Sequence, residues 1–141
     1  MYFKPLLLPL LAQVVLTFVI MIILYLRRVA EMKAKRIHPQ QTKTRSVAHG
    51  VLTDSESASD NYSNLLESPI LFYTAILLTL ILMVQDSILI ILAWTYVASR
   101  CVHSLIHVTY NRVMHRFSAF VFSCFVLLGI WVRLGWIILQ A

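Results

Sequence analysis

The sequence predicts an all-α integral membrane protein, an up-down-up-down bundle of four helices. The chain has 141 residues, of which 60% are hydrophobic and 13% charged, whereas about a quarter of the residues in a soluble domain are charged. Four apolar runs each have about the 20 residues that a bilayer crossing requires. They cover about 6–26, 65–84, 88–109 and 117–139. The later runs are joined by short links, which force neighbouring helices to pack antiparallel.

The first apolar run is predicted to be a retained span. It is too long for the core of a signal peptide, and Arg27 and Arg28 follow it instead of a small-residue cleavage site. A net charge of +6 could suggest nucleic acid, but seven of the twelve Lys and Arg residues lie between Arg27 and Arg45, directly after this span. That distribution is the positive-inside pattern of a membrane protein, so no nucleic-acid partner is expected.

Beyond the first span, the helix is predicted to continue to about His38. Glu31 and Lys35 stand at the favourable four-residue spacing, and Pro39 supplies a stop. Residues 40–63 are polar and predicted to form a cytoplasmic loop. They are too few for a second domain, so residues 1–141 are expected to form a single transmembrane domain.

The second helix is predicted to begin near Tyr62 or Asn64 and to bend slightly at Pro69. A start at Pro69 itself would leave an apolar run too short for a full crossing. Neighbouring helices must then satisfy the carbonyl group that the proline frees. Asn64 and Glu67 lie three residues apart and share a helix face.

The third and fourth helices follow tight connections, predicted around 85–87 and 111–116. The first of these connections carries Asp86 without a basic residue, and the second is basic, so both termini are expected outside and the long basic loop in the cytoplasm. Arg133 is predicted near the outer membrane boundary, either extending to the headgroups or pairing with Asp86.

Four polar side chains mark one side of the third helix, namely those of Arg100, His103, His107 and Tyr110. At about 100° per residue they fall within an arc of roughly 80°. Ionisable groups are costly in hydrocarbon, so they normally face a protein interior or a wet cavity and mark a functional site. In the predicted topology Arg116, which opens the fourth helix, lies at the same cytoplasmic depth.

One carboxylate among several cations favours an anionic, zwitterionic ligand with an amino group. Glu67 is predicted to hold an ammonium group or to pair with Arg100, and arginines such as Arg116 to hold carboxylates. Such a site also lowers the pKa of a bound thiol, because cations stabilise the thiolate. The structural alternatives are a Glu67–Arg100 pair that only locks two helices together and arginines that only contact lipid phosphates.

A metal site is a further alternative. His103 and His107 have the spacing that lets two imidazoles share an ion, with Glu67 or His115 as further ligands. The nearby arginines oppose cation binding, so the leading interpretation includes no metal.

The Asn-x-x-Glu motif of Asn64 and Glu67, the Arg-x-x-His motif of Arg100 and His103, and Arg116 together resemble the MAPEG family. These are membrane-associated proteins in eicosanoid and glutathione metabolism, and the chain resembles in particular bacterial members whose function is mostly undescribed. The resemblance implies a homotrimer that binds glutathione as co-substrate between subunits, near the cytoplasmic surface of a bacterial inner membrane. It also implies that Arg116 holds the glutathione thiolate as the catalytic residue.

The resemblance further implies that Arg28 or Arg27, at the end of helix 1, contacts the tripeptide, with His107 and Tyr110 also in the binding site. Phe120 departs from the pattern, because several family enzymes have a tyrosine there. Two functions therefore stay open. One is a glutathione transferase or peroxidase acting on a lipophilic small molecule, and the other is a non-catalytic membrane protein of the same fold.

Overall fold

The bundle was analysed in a computed structural model that describes residues 4–140. Four helical stretches are long and apolar enough to cross a membrane: Pro5–Ala34, Glu56–Ile81, Ser87–Val108 and Val113–Gln140. The individual helices are α1 (Lys4–Ala34), α2 (Arg45–Val51), α3 (Glu56–Glu67), α4 (Ile70–Ile81), α5 (Ser87–Val108) and α6 (Val113–Gln140). The prediction of an all-α bundle with four spans is confirmed. The predicted domain exceeds the described residues by three at its start and one at its end.

The core is built from apolar side chains of α1, α4, α5 and α6. At its centre the ring of Phe72 stacks on that of Tyr96, with centroids 4.5 Å apart and an interplanar angle of 18°. Both side chains are fully or almost fully buried. The opposite helix faces expose large apolar side chains, including Ile81 and Leu139, as is expected of surfaces that contact lipid tails.

Helix α1 ends at Ala34, four residues before the predicted end at His38. Arg36 has a left-handed backbone with φ of 51°, and the Ile37 N–H donates to the Met32 carbonyl at 2.9 Å. This is the hydrogen bond that closes a helix in a Schellman motif. The earlier end was not predictable from the sequence, because such caps usually contain glycine rather than arginine.

The prediction of a loop over residues 40–63 was wrong, since the segment contains α2 and the first two turns of α3. The Glu31 carboxylate fixes the start of α3. It accepts hydrogen bonds from the N–H groups of Asp54 and Ser55, each at 2.9 Å, and from the Ser55 hydroxyl at 2.8 Å. The expected contact with Lys35 is also present, at 2.5 Å.

The second span begins at Glu56, six residues before Tyr62 and eight before Asn64, the two predicted starts. It is interrupted at Pro69, where α3 gives way to α4, because proline cannot donate the helical hydrogen bond. In the turn before the proline, the Arg100 guanidinium donates to the Asn64 carbonyl at 3.5 Å. A neighbouring span therefore supplies a donor close to the interruption.

Asp86 and Arg133 form an ion pair at the opposite end of the bundle. The Asp86 side chain caps α5 by accepting the Leu89 N–H at 2.8 Å, and its other oxygen lies 2.6 Å from the Arg133 guanidinium. The hydrogen bond from Arg133 lowers the pKa of the Asp86 carboxyl group. The pairing of these two residues, which was one of the two predicted arrangements, is confirmed.

The Asp86→Asn variant isolates this ion pair, because asparagine retains the capping oxygen and loses the charge. A carboxyl group whose pKa is lowered on folding stabilises the fold above its unfolded pKa of about 4, and the contribution disappears as pH falls through the folded pKa. We expect the variant to melt at a lower temperature than the wild type near neutral pH and at a similar temperature at acidic pH. Thermal unfolding in detergent across pH measures the difference, and a constant difference would contradict the assignment.

Candidate functional site

The buried polar groups of α5 come from one face of the helix, as the spacing predicts. Arg100, His103 and His107 retain 0%, 2% and 1% of their accessible surface, respectively. This face lies against α3 and α6, and α6 runs alongside α5 after a tight connection. Three polar side chains are thus placed inside the bundle, where each unmet hydrogen bond is costly.

His103 connects α5 with the start of α6. Its Nδ1 lies 3.1 Å from the Arg116 carbonyl oxygen, and a carbonyl only accepts, so Nδ1 carries the hydrogen. Its Nε2 is buried and has no partner among the described residues. The His107 ring lies edge-on to the His103 ring with centroids 5.6 Å apart, and its Nδ1 is likewise buried without a partner in residues 4–140.

Arg100 is the most deeply buried cation of the site. Its guanidinium donates to the Asn64 carbonyl and lies 5.7 Å from the centre of the Phe120 ring, a cation–π contact. Its Nε and Nη1 atoms have no hydrogen-bond partner in the described part of the chain. A buried cation without a carboxylate is an expensive arrangement, and an anionic ligand would relieve it.

A cavity of about 190 Å³ opens beside these residues. Its lining combines three polar residues, Asn64, His103 and Arg116, with apolar residues. The Arg116 guanidinium donates to the Asn111 side chain at 2.9 Å, which fixes its direction. The full lining is Asn64, His103, Val113, Arg116, Phe117 and Phe120. The arrangement offers a cation and an imidazole to an anionic or thiol group and aromatic rings to an apolar one.

Of the predicted site residues, only Asn64, His103 and Arg116 line this cavity within one protomer. Arg100 and His107 are buried close to it without lining it, and three further residues lie elsewhere. Glu67 is exposed, and no ion pair joins it to Arg100 between residues 4 and 140. Tyr110 is exposed and its hydroxyl lies 3.2 Å from His115 Nδ1. Arg28 belongs to a different cavity. The alternative in which a Glu67–Arg100 pair locks two helices is therefore wrong for the single protomer.

Two contacts near the site were not predicted. The Asn61 side chain is fully buried and accepts a hydrogen bond from the Ser104 hydroxyl at 3.1 Å. The Arg27 guanidinium donates to the Val108 carbonyl at the end of α5, which brings the basic end of α1 to the level of the site. Asn61 lies three residues before Asn64, so helical spacing was a usable signal. No sequence signal indicated the Arg27 contact, because Arg27 and Val108 are 81 residues apart in the chain.

In the part of the chain that the structure describes, the ligands that the metal-site alternative names do not come together. No group of three His, Cys, Asp or Glu side chains there is arranged to hold a metal ion. His103 and His107 do lie close together, but the suggested additional ligands do not join them. His115 contacts Tyr110, and Glu67 is exposed.

Comparison with known families shows the family to which the chain belongs. The model of the MAPEG family matches residues 6–136, which include the whole cavity lining and all of the four spans except the first residue and the last four. The chain belongs to the MAPEG family. No curated protein and no solved structure matches it. This MAPEG chain is an integral, multi-pass membrane protein, and its polar cavity lies between the second, third and fourth spans.

Proposed function

We propose that this MAPEG protein binds glutathione and conjugates or reduces lipophilic electrophiles in the bilayer. The observation that carries the proposal is the cavity that Arg116 and His103 line together with the aromatic side chains of Phe117 and Phe120. Such a cavity suits a thiolate next to an apolar second substrate, and membership of a family associated with glutathione supports the identity of the thiol.

In the proposed site the Arg116 guanidinium stabilises the glutathione thiolate, since a nearby cation lowers the pKa of a thiol. Arg100 and His103 orient the tripeptide, and the otherwise unmet donors of Arg100 fit a carboxylate. Asn64 and Glu67 hold the peptide and its ammonium group. In conjugation the thiolate sulfur bonds to an electrophilic carbon. Either a leaving group departs with its bonding electron pair, or the electron pair of the double bond moves to the neighbouring acceptor group, which then takes a proton from water.

The remaining predicted contacts require a neighbouring protomer. The cavity of one protomer holds about 190 Å³, whereas pockets for small ligands typically measure about 300–1,000 Å³. Glu67 and Tyr110 are exposed, and Arg28 lines a different cavity. We therefore propose a homotrimer in which glutathione lies between subunits, with Glu67, Tyr110 and Arg28 reaching it across the interface. His107 is proposed to support His103 from within the protomer.

The proposed orientation places this site toward the cytoplasm and both termini outside. The contact between Arg27 and the end of α5 brings the basic segment and the site to the same end of the bundle. Lys and Arg concentrate on the cytoplasmic side of membrane proteins. A bacterial inner membrane is the proposed location.

A non-catalytic glutathione-binding protein is the second candidate function. Phe120 favours this second candidate, because it lines the cavity where a hydroxyl group could act. The centre of its ring lies 5.9 Å from the centre of the His103 ring and 5.7 Å from the Arg100 guanidinium. A hydroxyl group at that position would be a second donor for a thiolate, and phenylalanine has none.

Native mass spectrometry of the detergent-solubilised protein with added glutathione tests the proposal. We expect a trimer that retains the tripeptide, because the cavity of one protomer is too small to enclose it. Retention with turnover of electrophiles or hydroperoxides favours the enzyme, and retention without turnover on a broad panel favours the second candidate. A protein that retains no glutathione in any oligomeric state would contradict both.

A further inference from the structure

Arg116 is held at two points by the helix and the connection that precede it in the chain. Its carbonyl oxygen lies 3.1 Å from His103 Nδ1, and this contact fixes the main chain at the start of α6 against α5. One nitrogen of its guanidinium donates to the Asn111 side-chain oxygen at 2.9 Å, in the connection between the third and fourth spans. The main chain and the side chain of Arg116 are therefore anchored separately.

The backbone of Asn111 shows why asparagine suits this position. It is left-handed, with φ of 46°, and the Asn111 N–H donates to the Ile106 carbonyl in the last turn of α5 at 2.9 Å. Asparagine is among the non-glycine residues that adopt this conformation most readily. Glycine would adopt it as well, but glycine has no side chain that could contact Arg116. The turn and the acceptor for Arg116 are thus supplied by one residue.

The acceptor is a neutral amide oxygen rather than a carboxylate. A carboxylate would bind the guanidinium more strongly, but it would also offset the positive charge and repel a thiolate. No carboxylate forms an ion pair with Arg116 among residues 4–140. The amide restricts a long side chain that otherwise has many rotamers, and it leaves the full charge of Arg116 for an anion in the cavity.

We propose that Asn111 is a positioning residue for the thiolate, because it holds the Arg116 guanidinium in place and leaves the charge of Arg116 uncompensated. The role rests on the proposed function, in which Arg116 stabilises the glutathione thiolate. Asn111 itself does not line the cavity, so it acts through Arg116. Electrostatic stabilisation is strongest when the charge is already in place as the anion forms, and an unanchored guanidinium would therefore stabilise the thiolate less.

The ultraviolet band of bound glutathione, titrated against pH, tests the proposed role. Asn111→Gly keeps the left-handed backbone and removes the acceptor. We expect the apparent pKa of the bound thiol to rise by about one, which corresponds to up to about tenfold less thiolate and a matching loss in kcat. Asn111→Asp keeps the shape and adds a negative charge, and we expect it to raise this pKa as well. In the Arg116→Ala background, Asn111→Gly should have no further effect, because the two residues act as a unit.

Met83→Gly is the matched control for the introduction of glycine. Met83 also has a left-handed backbone, with φ of 55°, but it lies in the connection between α4 and α5, at the other end of the bundle. The thiolate titration and the kcat of this variant should match those of the wild type.

Melting temperatures identify an Asn111→Gly variant that misfolds, and the nearly isosteric Asn111→Asp variant keeps the charge prediction testable. An unchanged thiol pKa in both Asn111 variants would overturn the positioning role and leave the proposed function in place. So would an Asn111→Gly effect that persists undiminished in the Arg116→Ala background, because Asn111 would then act on something other than Arg116. A wild type that binds glutathione without forming a thiolate would contradict both the positioning role and the proposed function.

Discussion

The Arg116→Ala variant is expected to reduce glutathione-dependent turnover by about 100-fold, the usual effect of removing one group that stabilises developing or reactive negative charge. The guanidinium lines the cavity and is directed by its hydrogen bond to Asn111. Without it, the thiol at neutral pH is mostly protonated and much less nucleophilic. Steady-state kinetics with a lipophilic electrophile measures the loss, which should fall mainly on kcat.

Arg112→Ala is the control for this experiment, because Arg112 carries the same charge four residues earlier and is exposed. Its activity should remain close to that of the wild type. Raising the pH should restore part of the Arg116→Ala activity, because hydroxide then generates the thiolate. Equal activity of Arg116→Ala and wild type would reject the proposed role of Arg116.

The Glu31→Ala variant is expected to lose about 2–4 kcal/mol of stability, because it leaves three donors at the start of α3 without an acceptor, and the two from Ser55 are buried. Only 2% of the Glu31 side chain is accessible, and its partners are the N–H groups of Asp54 and Ser55 and the Ser55 hydroxyl. Unfolding by denaturant in mixed micelles measures the change. Hydrogen exchange should increase first at the N-terminal end of α3.

Glu56→Ala provides the comparison, since Glu56 is an exposed carboxylate in the same region that contacts His49. Its effect should stay within about 0.5 kcal/mol, as is usual for exposed positions. If both variants were equally stable, the Glu31 contacts would contribute nothing measurable, and another interaction would have to hold the second span in place.

The four spans were predictable because the thickness of the bilayer sets the length of an apolar helix. The residues at which these helices begin or end in the polar regions were not predictable. Helix α1 stops where Arg36 adopts a left-handed backbone, and α3 starts where Ser55 meets Glu31, 24 residues earlier in the chain. Both boundaries depend on conformations or contacts that a local hydrophobic pattern does not record.

The candidate site was also predictable only in part. The shared face of Arg100, His103 and His107 follows from helical spacing alone, and all three are buried. The positions of Glu67 and Arg28 depend on how α3 and α1 rotate against their neighbours, which the sequence does not specify. Their placement away from the cavity within one protomer is what makes a contribution from a second subunit part of the proposal.

The ultraviolet absorbance of a bound thiolate tests the central claim most directly, because it reports the chemical state of the sulfur at Arg116 independently of any second substrate. Adding glutathione to the wild-type protein at neutral pH should produce a thiolate band that saturates, whereas S-methylglutathione, which has no ionisable sulfur, should produce none. Saturable glutathione binding without a thiolate band, or no binding at all, would contradict a thiolate-stabilising site in this cavity.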